Sequence, residues 1–211
     1  MSTNVLLEAP SLILPQLTAE DTDELVALDG DPKVMRHING GIPSGYEAIA
    51  ERFLPYAMSY YDRENLGFWA IVEKGSNEFI DWIFLRPEGD FELLQQLNLA
   101  EADAIELGYR LCRTSWNKGY TTEACRELIK KAVRESNIAK ITAWALAENT
   151  ASLRVMEKAG LQRQQEYVVS ADNIHDPSLL ESPLVRNLLD RTVVRYQWHK
   201  DCQMSPIGYC S

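Results

Sequence analysis

The stretch from Ala104 to Leu161 constrains this chain more than any other. It opens on an apolar run, Ala104-Ile-Glu-Leu-Gly-Tyr-Arg-Leu-Cys112, and breaks at Thr114-Ser-Trp-Asn-Lys-Gly119. Ala124, Cys125, Leu128, Ile129, Ala132 and Val133 then recur as adjacent pairs four residues apart, which puts one apolar stripe on a helix of about three to four turns. Ile138 to Leu146 reads as a strand, and Asn149 opens a second helix carrying Ser152, Val155, Met156 and Ala159 on one face, with Gly160 ending it. Strand, turn, helix, strand, helix requires a sheet with helices packed on it.

The flanking segments add strands to that sheet. Leu12 to Leu17 reads as an opening strand, and Thr18 with Asp21 starts a helix through Leu25, Val26 and Leu28. Ser44 and Glu47 form a second capping box, ahead of Ile49, Phe53, Ala57 and Tyr60 on one helical face. Gly67 to Glu73 and Phe79 to Leu85, joined by Lys74-Gly-Ser-Asn77, read as a β-hairpin buried on both faces. Leu161 to Ser170 and Thr192 to Trp198 supply two last strands. The acidic, leucine-rich stretch 88–103 is either a short helix or an irregular insertion, and 171–190 is a polar excursion whose leucines suit the core or a partner chain, so a homodimer stays open. The expectation is one α/β domain over 1–211, about seven strands in a mixed sheet with about four flanking helices, and insertions near 88–103 and 171–190.

Charge and composition exclude several functions. The 21 Lys plus Arg against 31 Asp plus Glu give a net charge of −10, which argues against a phosphate-backbone binder and so against nucleic acid as partner. The first ten residues lack a basic start and a long apolar run, and no apolar run is long enough to span a bilayer, so the expected setting is cytoplasmic and away from membranes. Cys112, Cys125, Cys202 and Cys210 form no CxxC pair and read as reduced, although Cys202 and Cys210 are placed to pair with each other. With His37, His175 and His199 scattered, no metal-ligand spacing is present and no metal is expected.

Function points to the turn before the long helix. Unpaired N–H groups and a positive dipole end mark a helix start, so a glycine turn placed there can wrap a diphosphate. Gly119 permits close backbone approach, Lys118 adds charge, and Thr121 and Thr122 offer hydroxyls. From these residues alone, the segment is either such a cradle or simply a turn. Neither GxGxxG nor GxxxxGK[ST] occurs, which weakens NAD and ATP as ligands.

Taken together, Ile105-Glu-Leu-Gly-Tyr-Arg-Leu111, Trp116-Asn-Lys-Gly-Tyr-Thr-Thr-Glu-Ala124, Ile141-Thr-Ala143 and Glu148-Asn-Thr-Ala-Ser-Leu-Arg-Val-Met-Glu-Lys-Ala-Gly-Leu161 resemble the GCN5-related N-acetyltransferases (GNAT), and within them the ribosomal-protein N-terminal acetyltransferase-like branch. A weaker likeness covers Leu12 to Asp21 and Gly67 to Pro87. The resemblance implies a GNAT-type, mostly antiparallel seven-stranded sheet splayed between its fourth and fifth strands, here 104–112 and 138–146, with acetyl-CoA held in the gap. It implies that Asn117, Lys118, Gly119, Tyr120, Thr121 and Thr122 hold the diphosphate. Leu111, Cys112 and Arg113 would pair with the pantetheine arm, and Asn149 would touch that arm while also capping its helix. Trp116 stands where many relatives carry Gln or Arg, and packing is its expected role.

For acetyl transfer to an amine, a base must take a proton, an N–H must face the developing oxyanion, and the thiolate must leave. Glu106 is the candidate base, the alternative being a strand carboxylate paired with a basic neighbour. A backbone N–H near Leu111 suits the oxyanion. Met156 occupies the place of the tyrosine that protonates the thiolate in many relatives and cannot donate; Ser152, one turn earlier, is the candidate donor, or else a small packing residue. Asp81 interrupts an apolar strand where relatives carry glycine, and is expected either to face the acceptor pocket and bind an ammonium or to sit at an edge or in a salt bridge. The expected function is direct transfer from acetyl-CoA to a primary amine, a protein N-terminus or a small amine, in a ternary complex. The alternative is an idle acyl-CoA-binding module of the same fold.

Overall fold

The computed structural model describes residues 5–63, 65–136 and 138–200, so Cys202 and Cys210 lie outside the described residues. Eight strands form one sheet: β1 (Val5–Glu8), β2 (Leu12–Pro15), β3 (Gly67–Glu73), β4 (Phe79–Pro87), β5 (Ala104–Leu111), β6 (Lys140–Leu146), β7 (Gln162–Val168) and β8 (Thr192–His199). Their order across the sheet is β1-β2-β3-β4-β5-β6-β8-β7, and every neighbouring pair is antiparallel except β5–β6. The seven expected strands are all present. The eighth, β1, is a short edge strand whose exposed and half-buried residues carry no clear alternation.

The helices are α1 (Thr22–Asp29), α2 (Pro32–Asn39), α3 (Leu54–Met58), α4 (Glu92–Gln96), α5 (Tyr120–Glu135), α6 (Thr150–Ala159) and α7 (Pro183–Leu188). Thr18 and Asp21 do form a reciprocal capping box, closing a short turn ahead of α1. The box expected at Ser44 and Glu47 is replaced by a π-helical turn over Ala48–Phe53 that no side chain caps. α2 had not been expected, yet its signals are local: Asp31 caps it, Pro32 starts it, and Gly40 ends it at φ 81°.

The two faces of the sheet bury different cores. Ile71, Ile83, Leu107, Ile141 and Tyr196 meet Cys125, Leu128 and Ile129 of α5 and Leu153 and Met156 of α6. On the opposite face, Phe68, Trp82 and Phe84 pack with Leu25 and Leu28 of α1 and with Leu54 of α3. Segment 88–103 supplies α4, and 171–190 supplies α7. Leu93, Ile174 and Val185 of these insertions cover Leu146 and Val193 of β6 and β8, so the excursion leucines serve the protein's own core. Glu88, fully buried, is held by Thr142 Oγ1 at 2.6 Å, Trp144 Nε1 at 3.0 Å and Arg195 Nη2 at 3.1 Å.

Candidate active site

The sheet opens where β5 meets β6. β5 stays paired with β4 from Pro87↔Ile105 to Asp81↔Leu111, whereas its parallel pairing with β6 stops after Ala104↔Lys140, Ile105↔Ile141 and Glu106↔Thr142. β6 continues to Leu146 against β8. From Leu107 onward β5 therefore presents an edge that is not paired with β6, and unpaired strand groups want partners. An extended ligand with amide groups can supply them.

The start of α5 lies just beyond that edge. Gly119 is its N-cap at φ 87°, with no side chain capping the helix, and a Cβ built on Gly119 meets nothing within 4 Å. The start of α5 thus has no side-chain cap and leaves space beside Gly119, and the unpaired first-turn N–H groups of a helix suit an anion. Asn117 also takes a left-handed conformation, φ 62°, to turn the chain into the helix. Lys118 stands over the Tyr120 ring, and the Tyr120 hydroxyl donates to Glu73. Thr122 is half-buried, whereas Thr121 is buried and its Oγ1 lacks a partner among the described residues. Trp116 corrects its expected packing role: it is 40% exposed, and its indole donates to the Leu111 carbonyl at 3.0 Å, closing the 111–116 loop.

Glu106 and Ser152 approach the gap from opposite faces of the sheet. Glu106, buried, accepts from Arg86 Nε at 2.7 Å, and Arg86 in turn donates to Tyr56. Burial pushes the Glu106 carboxyl up, while Arg86 pulls against that shift. The structure therefore shows the pairing that had been the alternative to a base, in a carboxylate still raised above its usual range. Across the gap, Asn149 caps α6 by accepting from Ser152 N at 3.3 Å. Ser152 is half-buried, and Met156 is buried one turn later.

Tyr109 is the residue that reading the sequence missed. It projects from β5 on the α5/α6 face, and its hydroxyl lies 3.0 Å from Ser152 Oγ and 3.1 Å from the Ser152 carbonyl. Burial pushes its phenol well above the usual range. No local signal marks a contact between residues 43 positions apart.

Asp81 does not join this group. It is fully buried, in register with Ile71 and Leu111 on the α5 face, where its charge would oppose ionisation of Cys125. Its carboxyl is raised well above the usual range by burial; Oδ1 accepts from Trp82 N at 2.5 Å, and Oδ2 has no partner among the described residues. Neither the acceptor-pocket position nor the edge position expected of Asp81 matches a residue with no exposed surface in the middle of the sheet. Among the described residues, no cluster of His, Cys, Asp and Glu is arranged to hold a metal, and no helix is long and apolar enough to cross a membrane.

Comparison with known proteins agrees with this geometry. Residues 11–162 match the acetyltransferase (GNAT) domain. The chain is 26% identical over 192 residues to FsC-acetyl coenzyme A-N(2)-transacetylase of Aspergillus fumigatus, covering 91% of this chain and 77% of that protein. It is 24% identical over 159 residues to the uncharacterized N-acetyltransferase YoaA of Bacillus subtilis, covering 75% and 84%. Its fold is similar to a GNAT-family acetyltransferase from Bacillus anthracis, with a TM-score of 0.68 at 20% identity over 92% of this chain and 98% of that one. It is also similar to the ribosomal L7/L12 α-N-protein acetyltransferase RimL in complex with coenzyme A, with a TM-score of 0.69 at 13% identity over 94% and 99%.

Proposed function

The chain belongs to the GNAT acetyltransferase family, whose reaction is acetyl transfer from acetyl-CoA, and on that premise we propose that it acetylates a primary amine, a protein N-terminus or a small amine, by direct attack in a ternary complex. One observation carries the reading: the unpaired edge of β5 beyond Glu106 leads to the uncapped, glycine-led start of α5. The edge suits the amides of a pantetheine arm, and the helix start suits its diphosphate. Gly119 leaves room for that contact, and the Thr121 hydroxyl is a donor without a partner among the described residues. Backbone groups of Leu111 and Arg113, the side chains of Asn117, Lys118 and Thr122, and Asn149 complete the proposed cofactor contacts, with Tyr120 at the first helical position; the Cys112 N–H and carbonyl are already taken by the Ile80 carbonyl and the Ser115 N–H, which corrects its expected pairing with the arm.

The remaining residues handle protons and charge. Glu106 accepts the proton of the incoming amine, directly or through one water; its raised carboxyl brings its basicity closer to that task. Arg86 holds the Glu106 side chain in place. A main-chain N–H near Leu111 faces the developing oxyanion, and Ser152 faces the departing sulfur. A thiolate is a good leaving group, so a hydroxyl donor suffices where Met156 offers none.

The test is release of coenzyme A thiol from acetyl-CoA on addition of a panel of amines and peptides. The reading expects amine-dependent release with stoichiometric N-acetylation by mass spectrometry. Binding of coenzyme A without turnover of any amine would instead mark the chain as a non-catalytic acyl-CoA-binding protein.

A further inference from the structure

Ser152 needs its hydroxyl held in one orientation to serve as a donor, because an aliphatic hydroxyl on a helix rotates freely unless something fixes it. Here something does. Tyr109 lies three residues beyond the last β5–β6 pair, Glu106↔Thr142, in the part of β5 that borders the gap. Its hydroxyl reaches across to α6 and meets Ser152 twice, at Oγ and at the carbonyl. Tyr109 and Ser152 are both half-buried, so the hydroxyl pair stands where a ligand in the gap can reach it. Met156, a turn further along α6, has no hydrogen to give.

We propose that Tyr109 is a positioning residue for departure of the coenzyme A thiolate, holding the Ser152 hydroxyl so that it donates to the sulfur. The inference rests on the acetyl-transfer reading above. In the structure Ser152 Oγ donates to the phenol, and the phenol donates to the Ser152 carbonyl. The two acceptor atoms that Ser152 offers the phenol stand at nearly equal distance. The phenolic hydrogen can therefore turn from the carbonyl to Oγ by rotation about its C–O bond, with no heavy atom displaced. That turn leaves the Ser152 hydrogen for the gap. When the C–S bond breaks, its electron pair stays on sulfur, Ser152 O–H donates to that sulfur, and Tyr109 O–H donates to Ser152 Oγ. Both hydroxyls keep their protons, the amine proton goes to Glu106, and the thiolate is protonated by solvent after release. The N-terminal turn of α6 adds its positive dipole end on the same side. The strand thus supplies the phenol that the helix lacks.

The experiment is a double-mutant cycle of Tyr109→Phe and Ser152→Ala, with kcat and KM for acetyl-CoA measured beside the calorimetric Kd for coenzyme A. Tyr109→Phe keeps the ring and its packing; it is expected to lower kcat roughly 3- to 13-fold, the worth of one hydrogen bond, with KM and Kd within about twofold of the parent. In the Ser152→Ala background it is expected to lower kcat no further, because Tyr109 acts only through the serine. Parent-like kcat in Tyr109→Phe, or an equal loss in both backgrounds, overturns the inference, as does a loss that appears only in Kd. Should Tyr109→Phe not fold, Ser152→Thr and Ser152→Ala decide: the threonine, which keeps the hydroxyl, is expected to retain activity that the alanine loses, and equal activity overturns the inference. Absence of turnover by the parent with every amine would fall on the acetyl-transfer reading itself, whereas an active parent with an equally active Tyr109→Phe refutes only the role of Tyr109.

Discussion

Gly119→Ala separates the fold from the proposed cofactor contact. Gly119 holds φ 87°, where an L-residue costs roughly 1–2 kcal/mol, but no atom lies within 4 Å of the added methyl. For a domain of this size that cost lowers Tm by about 2–8 °C, and a stability of about 5–15 kcal/mol survives it. The methyl projects instead into the open space ahead of α5. If a diphosphate sits there on main-chain donors, displacing it from one charge-assisted hydrogen bond removes about 1.5–3 kcal/mol, a roughly 10- to 100-fold weaker Kd for coenzyme A. Calorimetric titration beside thermal melting reads both quantities. Gly75→Ala, in the β3–β4 turn and equally free of neighbours, serves as control and should leave Kd unchanged. A Gly119→Ala protein that melts lower yet binds coenzyme A as tightly as the parent would refute the reasoning.

Three further outcomes concern residues of β4 and β5. Glu106→Gln should reduce kcat/KM by roughly 100-fold or more, and the parent's kcat/KM should fall with decreasing pH through a group titrating above the usual glutamate value of 4.5; activity within tenfold of the parent contradicts its role as base. Asp81 has a folded-state pKa raised above its unfolded value, so the stability it contributes is full below about pH 3.8 and is lost as pH rises through the folded value. Asp81→Asn should therefore gain on the parent in melting temperature as pH increases, and a difference independent of pH would show that Asp81 is not held neutral. Gly108→Ala places a Cβ 2.2 Å from the Phe84 ring, its cross-strand partner, and should destabilise by about 1–3 kcal/mol; combination with Phe84→Leu should recover part of that loss in urea unfolding, and strict additivity would contradict the clash.

What could be read in the sequence was whatever rests on short-range pattern. The stripe from Ala124 to Val133 lies within α5, Gly160 does end α6 at φ 96°, and the strands on either side of α5 are the two that splay. α2 was also legible, in Asp31, Pro32 and Gly40, and went unread because its apolar face is thin, with Met35 its one buried residue. β1 lacks both length and alternation. Long-range partners were beyond reach for a physical reason: residue type alone does not say which distant group satisfies a buried charge or hydroxyl. Segment 88–103 is fixed by Glu88 through Arg195, 107 positions away, and Ser152 by Tyr109 on another element. Asp81 misled because a carboxylate in an apolar strand suggests a ligand contact, whereas this one is enclosed with its pKa raised.

Amide hydrogen exchange with and without acetyl-CoA tests the central claim most directly, because that claim assigns the ligand to particular main-chain groups. The account predicts new protection within Leu107–Leu111 on the open edge of β5 and within Gly119–Thr122 at the start of α5, with β3 and β4 unchanged. Saturating acetyl-CoA that leaves both segments exchanging as in the free protein, or that protects a different surface, would contradict it.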